Sequence, residues 1–277
     1  MQLAERLAIA TDIAEEAGRE ILAARANPSY EKHYKKGTEL VTDVDVAIDR
    51  MISQRLEQHF PGEARLSEEL TPDRETLDQR GPLWIVDPID GTVNFAQGLP
   101  HVAVSIGWAL DGEIQVGVVH APILGETFTA VRGQGAKRDG RQIRASLVSR
   151  LERSLIATGF PYRRDGRVPL LRRFSAVMQN CQDIRRCGSA ALDLCNVACG
   201  RLDAYYESVS PWDFAAGLLI AREAGARTGH VYACPEGIPE DLYGENIVVA
   251  APDIYSSLRK LLKGADEARH AGDDAAS

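Results

Sequence analysis

Apolar residues near the start of the chain recur at Leu3, Leu7, Ala10, Ala14, Ala17, Ile21 and Leu22, close to the 3.6-residue period of one helical face. Asn27-Pro28 ends that helix. A second helix is predicted after Asp45, with Ile48, Met51, Ile52 and Leu56 on its apolar side until Phe60-Pro61-Gly62. The period then shortens. Stretches 101–110 and 113–120 read as strands around Asp111-Gly112, a residue pair suited to a tight hairpin, and 126–132 and 137–143 continue an antiparallel sheet. From about residue 146 strand and helix alternate: 155–158, a helix near 170–179, 184–186, a helix over 189–199 with Gly200 at its C-cap, and 202–207. A helix over 213–224 ends at Gly225, 247–250 is a buried strand, and 254–262 is the last helix. The pattern predicts an N-terminal α+β half over 1–145, a C-terminal α/β half over 146–264 and a flexible tail over 265–277, with no internal repeat or long linker.

Composition narrows the class. With 277 residues, 44% hydrophobic and 26% charged, the chain can bury a large core. No apolar run approaches the roughly 20 residues that span a bilayer, and Met1 to Arg6 lacks a signal-peptide layout, so a cytoplasmic location is expected. A net charge of −8 disfavours nucleic-acid binding. Arg163, Arg164, Arg167, Arg172 and Arg173 are the basic exception, read as a solvated face ahead of a contact surface. Five cysteines without a C-x-x-C pair suggest buried thiols, and none of the six histidines falls in a metal-binding pair.

The chemistry concentrates in Trp84-Ile85-Val86-Asp87-Pro88-Ile89-Asp90-Gly91-Thr92. Two carboxylates, a glycine and a hydroxyl directly follow an apolar stretch. Pro88 fixes its own φ, and Gly91 permits a tight turn whose N–H groups can face an anion. Carboxylate oxygens suit Mg²⁺ or Mn²⁺ rather than zinc. The same residues also serve in ordinary turns and caps. Three further acidic sites favour the metal reading: Asp43 and Asp45 after Leu40-Val41-Thr42, Glu68 and Glu69 after Leu66-Ser67, and Asp213 at the opening of an apolar helix.

Five blocks, Val41 to Asp45, Ser67-Glu68-Glu69, Trp84 to Phe95, Gly188-Ser189-Ala190-Ala191 and Pro211 to Gly217, together resemble the inositol monophosphatase family of Mg²⁺-dependent, lithium-sensitive sugar phosphatases. The resemblance implies an α/β (α+β) chain folded as a layered αβαβα sandwich of the inositol monophosphatase / fructose-1,6-bisphosphatase type. It also implies hydrolysis of a phosphate monoester by water activated between two Mg²⁺ ions, with a third, weaker ion and with Mn²⁺ as a substitute. Residue by residue, it places Glu68, Asp87 and the Ile89 carbonyl around one ion, and Asp87, Asp90 and Asp213 around the other. Glu68 and Thr92 would orient and deprotonate the attacking water beside Asp90. The Gly91 and Thr92 N–H groups would hold phosphate oxygens, and Asp90, Arg185, Ser189, Ala190, Glu207 and Asp213 would surround the alcohol. Asp45 would support the metal site from behind, Asp43 and Glu69 would be solvated neighbours, and Lys36, next to Lys35, would stand on a loop beside the site.

The substrate implied first is myo-inositol 1-phosphate; histidinol phosphate, fructose 1,6-bisphosphate and adenosine bisphosphate stay open within the same chemistry. A regulatory role in transcription through a protein partner is the alternative of another class, with Arg163 to Arg173 as its surface. A homodimer is expected from the family. Three positions depart from the family pattern: Ser67 replaces a glycine, Glu39 an aspartate, and Glu207 lies six residues before Asp213 instead of seven. No G-x-S-x-G motif or activated cysteine is present, which disfavours a covalent phosphoenzyme.

Overall fold

Helix α1 (Leu3–Ala26) buries Ala10, Ile13, Ala14, Ala17 and Ile21 along one stripe, while Leu22, expected on that stripe, is exposed. The computed structural model describes residues 2–27, 30–35, 39–70, 77–160 and 167–267. A short antiparallel hairpin, β1 (Lys32–Lys35) and β2 (Glu39–Thr42), leads into α2 (Asp43–His59). That helix starts two residues before Asp45. Asp45 is instead the third helical residue, and Thr42 and Asp45 form a reciprocal capping box.

Strands β3 (Ala64–Ser67) and β4 (Leu83–Asp90) follow, then a single helical turn, α3 (Thr92–Ala96). A meander of β5 (Ala103–Leu110), β6 (Glu113–Ala121), β7 (Glu126–Val131), β8 (Ala136–Arg138) and β9 (Arg141–Gln142) completes a seven-stranded sheet in sequence order. Every pair in it is antiparallel except β3 with β4, which run parallel. Asp111 and Gly112 link β5 to β6 at φ 56° and 79°, the two positive dihedrals that the hairpin turn requires.

The second half contributes β10 (Leu155–Thr158), α4 (Arg167–Met178), β11 (Asp183–Arg185), α5 (Ala190–Ala198), β12 (Ala204–Glu207), α6 (Pro211–Glu223), β13 (Arg227–His230), β14 (Ile247–Ala250) and α7 (Pro252–Glu267). Its strands form a five-stranded sheet in the order β11-β10-β12-β14-β13, parallel across the first three and antiparallel beyond. Strand β13, whose sequence Arg-Thr-Gly-His has no run of apolar residues, was not expected from the pattern. Helix α7 outlasts the expected boundary at Gly264, because Asp266 near its end accepts from the Arg173 guanidinium at 2.9 and 2.6 Å and from the Tyr232 hydroxyl at 2.7 Å. Arg173 is buried by that pair, so it is not part of a solvated basic face.

Three apolar cores stack these elements into five layers. One joins α1 and α2 to the outer face of the seven-stranded sheet; a second fills the space between the sheets around α5 and α6; a third joins α4 and α7 to the outer face of the smaller sheet. The αβαβα sandwich is therefore the one expected. No helix among the described residues is long and apolar enough to cross a membrane.

Close packing of α6 on the large sheet uses small residues on both sides. Gly107 of β5 and Gly117 of β6 face Ala215 and Ala216, and a Cβ on Gly117 would lie 2.8 Å from the Ala216 carbonyl oxygen. Gly117→Ala should therefore destabilise the protein by about 1–3 kcal/mol, because backbone must move to admit one methyl. Gly264→Ala, on an open and exposed position of α7, should raise stability by up to about 1 kcal/mol. Urea denaturation of both variants checks the pair of opposite signs.

Candidate active site

Strand β4 runs through the central motif to Asp90, and its register with β5 shifts between the two acids. Both carboxyls are consequently buried at the strand's end, Asp87 at 1% and Asp90 at 7% exposure. Asp87 Oδ1 accepts the Ile89 N–H at 3.0 Å. Gly91 then turns the chain into α3 at φ 97°; a Cβ there would sit 2.6 Å from the His101 carbonyl oxygen, so only glycine fits.

Two other elements bring acids to the same place. Parallel pairing sets Ser67 opposite Val86, which leaves Glu68 beside Asp87, and the Glu68 N–H reaches the Val86 carbonyl at 3.3 Å. Asp213 is the third residue of α6 and accepts the Ser210 N–H at 2.7 Å in a capping box. Helix capping uses one of its oxygens only. Carboxylate oxygens of Asp87, Asp90 and Asp213 lie within 4.8 Å of one another, although the three residues come from a strand, its distal end and a helix more than 120 positions later.

Each acid is held by directional bonds. Asp90 Oδ2 accepts the Ser189 hydroxyl at 2.6 Å and the Ala191 N–H at 2.7 Å, which ties it to the start of α5; the Ala190 N–H adds a third bond. Buried Asp45 does two things at once. Its Oδ2 caps α2 through the Thr42 N–H and hydroxyl at 2.8 and 2.5 Å, while its Oδ1 accepts the Thr92 hydroxyl at 3.0 Å. The Thr92 oxygen also lies 3.1 Å from the Ile89 carbonyl. Ser67, at the position where the family has glycine, is hydrogen-bonded to Asp49, which also accepts the Glu69 N–H at 3.1 Å. Asp49 thus organises the turn that carries Glu68, a role the sequence reading missed. Asp43 faces outward beside His33, 2.8 Å away, as expected of a solvated neighbour.

Electrostatics set the chemistry of this cluster. Burial, followed by the charges of Glu68, Asp90 and Asp213, pushes the Asp87 carboxyl well above the usual range. Asp213 moves the same way, by burial and then by Asp90. Asp90 is pushed up to about 6 by burial, against the pull of its bonds from Ser189, Ala191 and Ala190. Hydrogen bonds link Asp87 to both Glu68 and Asp213. Carboxyls this close need a shared proton or a cation between them. All the donors are hard oxygens, a set that fits Mg²⁺ or Mn²⁺ and does not suit softer ions; Asp87, Asp90, Asp213, Glu68 and the Ile89 carbonyl could hold such ions.

Around the neighbouring space stand the residues expected at an alcohol. Glu207, at the end of β12, accepts the Tyr205 hydroxyl at 2.7 Å, and burial pushes its carboxyl up to about 7. Its carboxyl packs directly on Gly159, where a Cβ would collide with it; the sequence offers no signal for Gly159 beyond its place after β10. Arg185 turns away to pair with Asp183 at 2.6 Å. Arg186 is the arginine whose charge reaches Asp90, Asp193 and Glu207. Ser189 faces Asp90, and Ala190 contributes its backbone. Lys36 and residues 163–166 lie outside the described residues, as do the side chains of Lys35, Glu39 and Arg167.

The pH dependence has a definite sign. Asp90 and Glu207 titrate higher in the folded chain than in the unfolded one. Between their ordinary range near pH 4 and about pH 7 the unfolded chain holds fewer protons, so the stability of the metal-free protein falls as pH rises. Its urea midpoint should be higher at pH 5.5 than at pH 8, and Asp90→Asn should shrink the difference.

The chain is similar in sequence and fold to known proteins. Residues 2–269 match the model of the inositol monophosphatase family. Inositol monophosphatase 1 of Solanum lycopersicum is 37% identical over 268 residues, covering 94% of this chain and 96% of its own. Nus factor SuhB of Escherichia coli strain K12 is 40% identical over 222 residues, 79% of this chain and 82% of its own. Among solved structures, the extragenic suppressor protein suhB of Bartonella henselae superposes with a TM-score of 0.84 at 33% identity, over 94% of this chain and 98% of that one. The chain belongs to the inositol monophosphatase family.

Proposed function

We propose that this protein hydrolyses a small phosphorylated polyol, with myo-inositol monophosphate as the leading substrate, in a reaction that depends on Mg²⁺. The observation that carries the reading is the convergence of Asp87 and Asp90 of β4 with Asp213 of α6 on one point in a chain of this family. When bound, Mg²⁺ supplies the positive charge that acidifies water and neutralises the departing alkoxide. The remaining steps belong to the chain's own groups.

Asp87, Asp90, Asp213, Glu68 and the Ile89 carbonyl would hold the ions. Asp45 Oδ1 accepts the hydrogen bond from the Thr92 hydroxyl, which leaves the Thr92 oxygen lone pairs turned to accept from a water molecule. Glu68 is the second acceptor on that side. The Gly91 and Thr92 N–H groups open α3 towards phosphate oxygens. Glu207 and Asp213 accept from polyol hydroxyls, and Arg186, in preference to Arg185, supplies positive charge at the alcohol side. A homodimer is part of the same proposal.

Kinship with Nus factor SuhB favours one second reading, a role in transcription through a protein partner. Of the arginines expected to form that surface, Arg173 is consumed by Asp266. The hydrolytic reading ranks first because the carboxylates that it needs are all present and oriented.

A panel of phosphate monoesters assayed with Mg²⁺ tests the proposal: inositol monophosphate should be turned over fastest, and failure of every ester would overturn it. Asp90→Asn should lower kcat by more than about 100-fold, the scale of losing one preorganised charge. Gly159→Ala should displace the Glu207 carboxyl and raise KM for the polyol ester while leaving Mg²⁺ affinity unchanged. Arg186→Ala should raise KM more than Arg185→Ala does.

A further inference from the structure

A second donor cluster lies at the edge of the smaller sheet, built from softer atoms than the first. His230 ends β13 and is 7% exposed. Its Nδ1 is 3.3 Å from Cys234 Sγ and 3.7 Å from Glu240 Oε1, and the three donor atoms lie within 4.8 Å of one another. Its other ring nitrogen, Nε2, is 2.8 Å from the Tyr243 carbonyl oxygen. A carbonyl can only accept, so Nε2 carries the proton and Nδ1 presents its lone pair to the cluster. Donation from the far ring nitrogen to a backbone carbonyl is the arrangement that orients metal-ligating histidines.

We propose that His230 Nδ1, Cys234 Sγ and Glu240 Oε1 form a binding site for one Zn²⁺-type ion. The spacing agrees with tetrahedral geometry. Bonds of about 2.3 Å to sulfur and about 2.0 Å to nitrogen or oxygen put neighbouring ligand atoms roughly 3.3–3.6 Å apart, close to the two separations seen at Nδ1, 3.3 and 3.7 Å. Nitrogen, sulfur and oxygen together select a borderline ion over Mg²⁺. On binding, the Cys234 S–H bond is broken and its proton passes to solvent, so thiolate and carboxylate together balance the charge of the ion.

Ligand placement is favourable. Glu240 is an exposed arm that can close on the ion, with 71% of its side chain accessible. Adjacent Asp241 is already committed to Arg222 and Arg132 at 2.6 and 2.7 Å, so it does not compete. A cavity of about 250 Å³, lined by His230, Glu240, Thr228, Arg222 and Leu218, adjoins the cluster and gives room for a fourth ligand from solvent.

The site also connects to the proposed substrate side through strand pairing and hydrogen bonds. His230 and Glu207 flank Ile247 in register across β13, β14 and β12. The Val231 N–H donates to the Asn246 carbonyl at 2.8 Å, the Asn246 N–H to Ser208 Oγ at 2.9 Å, and the Val209 N–H to the Gly244 carbonyl at 2.9 Å. An ion at His230 therefore fastens the segment that backs residues 207–210.

Titration of the reduced, metal-free, full-length protein with Co²⁺ tests the site without recourse to phosphatase activity. A sulfur-to-cobalt charge-transfer band should grow to one equivalent and be bleached by Zn²⁺, whereas Co²⁺ on the carboxylate cluster gives no such band. Cys234→Ser should abolish the band, and Glu240→Gln should weaken Zn²⁺ binding by about tenfold or more, judged by dye competition. Far-UV circular dichroism of both variants, which alter half-buried and exposed positions, confirms that they are folded. No sulfur band in the wild type, or a band that survives Cys234→Ser, would overturn the proposal.

Discussion

Mutual repulsion among Asp87, Asp90 and Asp213 is the constraint around which the rest of this molecule is arranged. Left alone in water, three carboxylates would separate; buried with oxygens within 4.8 Å of each other, they oppose the fold. Each is therefore anchored by bonds that do not depend on the others: Asp87 by the Ile89 N–H, Asp90 by Ser189 and the start of α5, Asp213 by the cap of α6. The stability lost here is the source of the attraction for cations. Preorganisation of this kind means that the ligands need little rearrangement when charge arrives.

Large apolar layers supply the compensating free energy, and their geometry aims the acids. Helix α6 can approach β5 and β6 closely only because Gly107 and Gly117 meet Ala215 and Ala216. That approach brings the first turn of α6 to the end of β4. A bulkier contact would tilt or lift the helix, and Asp213 would move away from Asp87 before any core residue lost its burial. Packing and function are coupled here through one helix position.

Much of this was legible in the residues. The central motif, the turn at Asp111-Gly112 and the apolar helix that Asp213 opens each carry a local cause that survives in the fold. The carboxylate set was legible because hard-cation chemistry needs several acids and the family pattern names which ones. Other features were hidden because their cause is tertiary. Strand β13 exists because β14 offers it an edge, not because Arg227-Thr228-Gly229-His230 favours a strand. Gly159 matters only because the Glu207 carboxyl lies on it. Arg173 reads as a surface charge until Asp266, 93 residues later, is placed against it. His230, Cys234 and Glu240 lie close together in the chain, yet the reading that no histidine falls in a metal-binding pair passed over them, because only the turn after β13 brings the three donors together.

The hydrogen bonds that fasten residues 208 and 209 to Gly244 and Asn246 bear on how this scaffold diversifies. One of them runs main chain to main chain, from the Val209 N–H to the Gly244 carbonyl, and the other ends on the Ser208 hydroxyl, so the loop's path depends on Ser208 but not on the side chain at 209. Position 209 can therefore change without moving the loop, whereas replacing Ser208, or Ser210 that caps α6 together with Asp213, would disturb it. Residue 209 and Asp213 are near neighbours in the chain, yet the first is free to vary while the second is held by the cap of its helix.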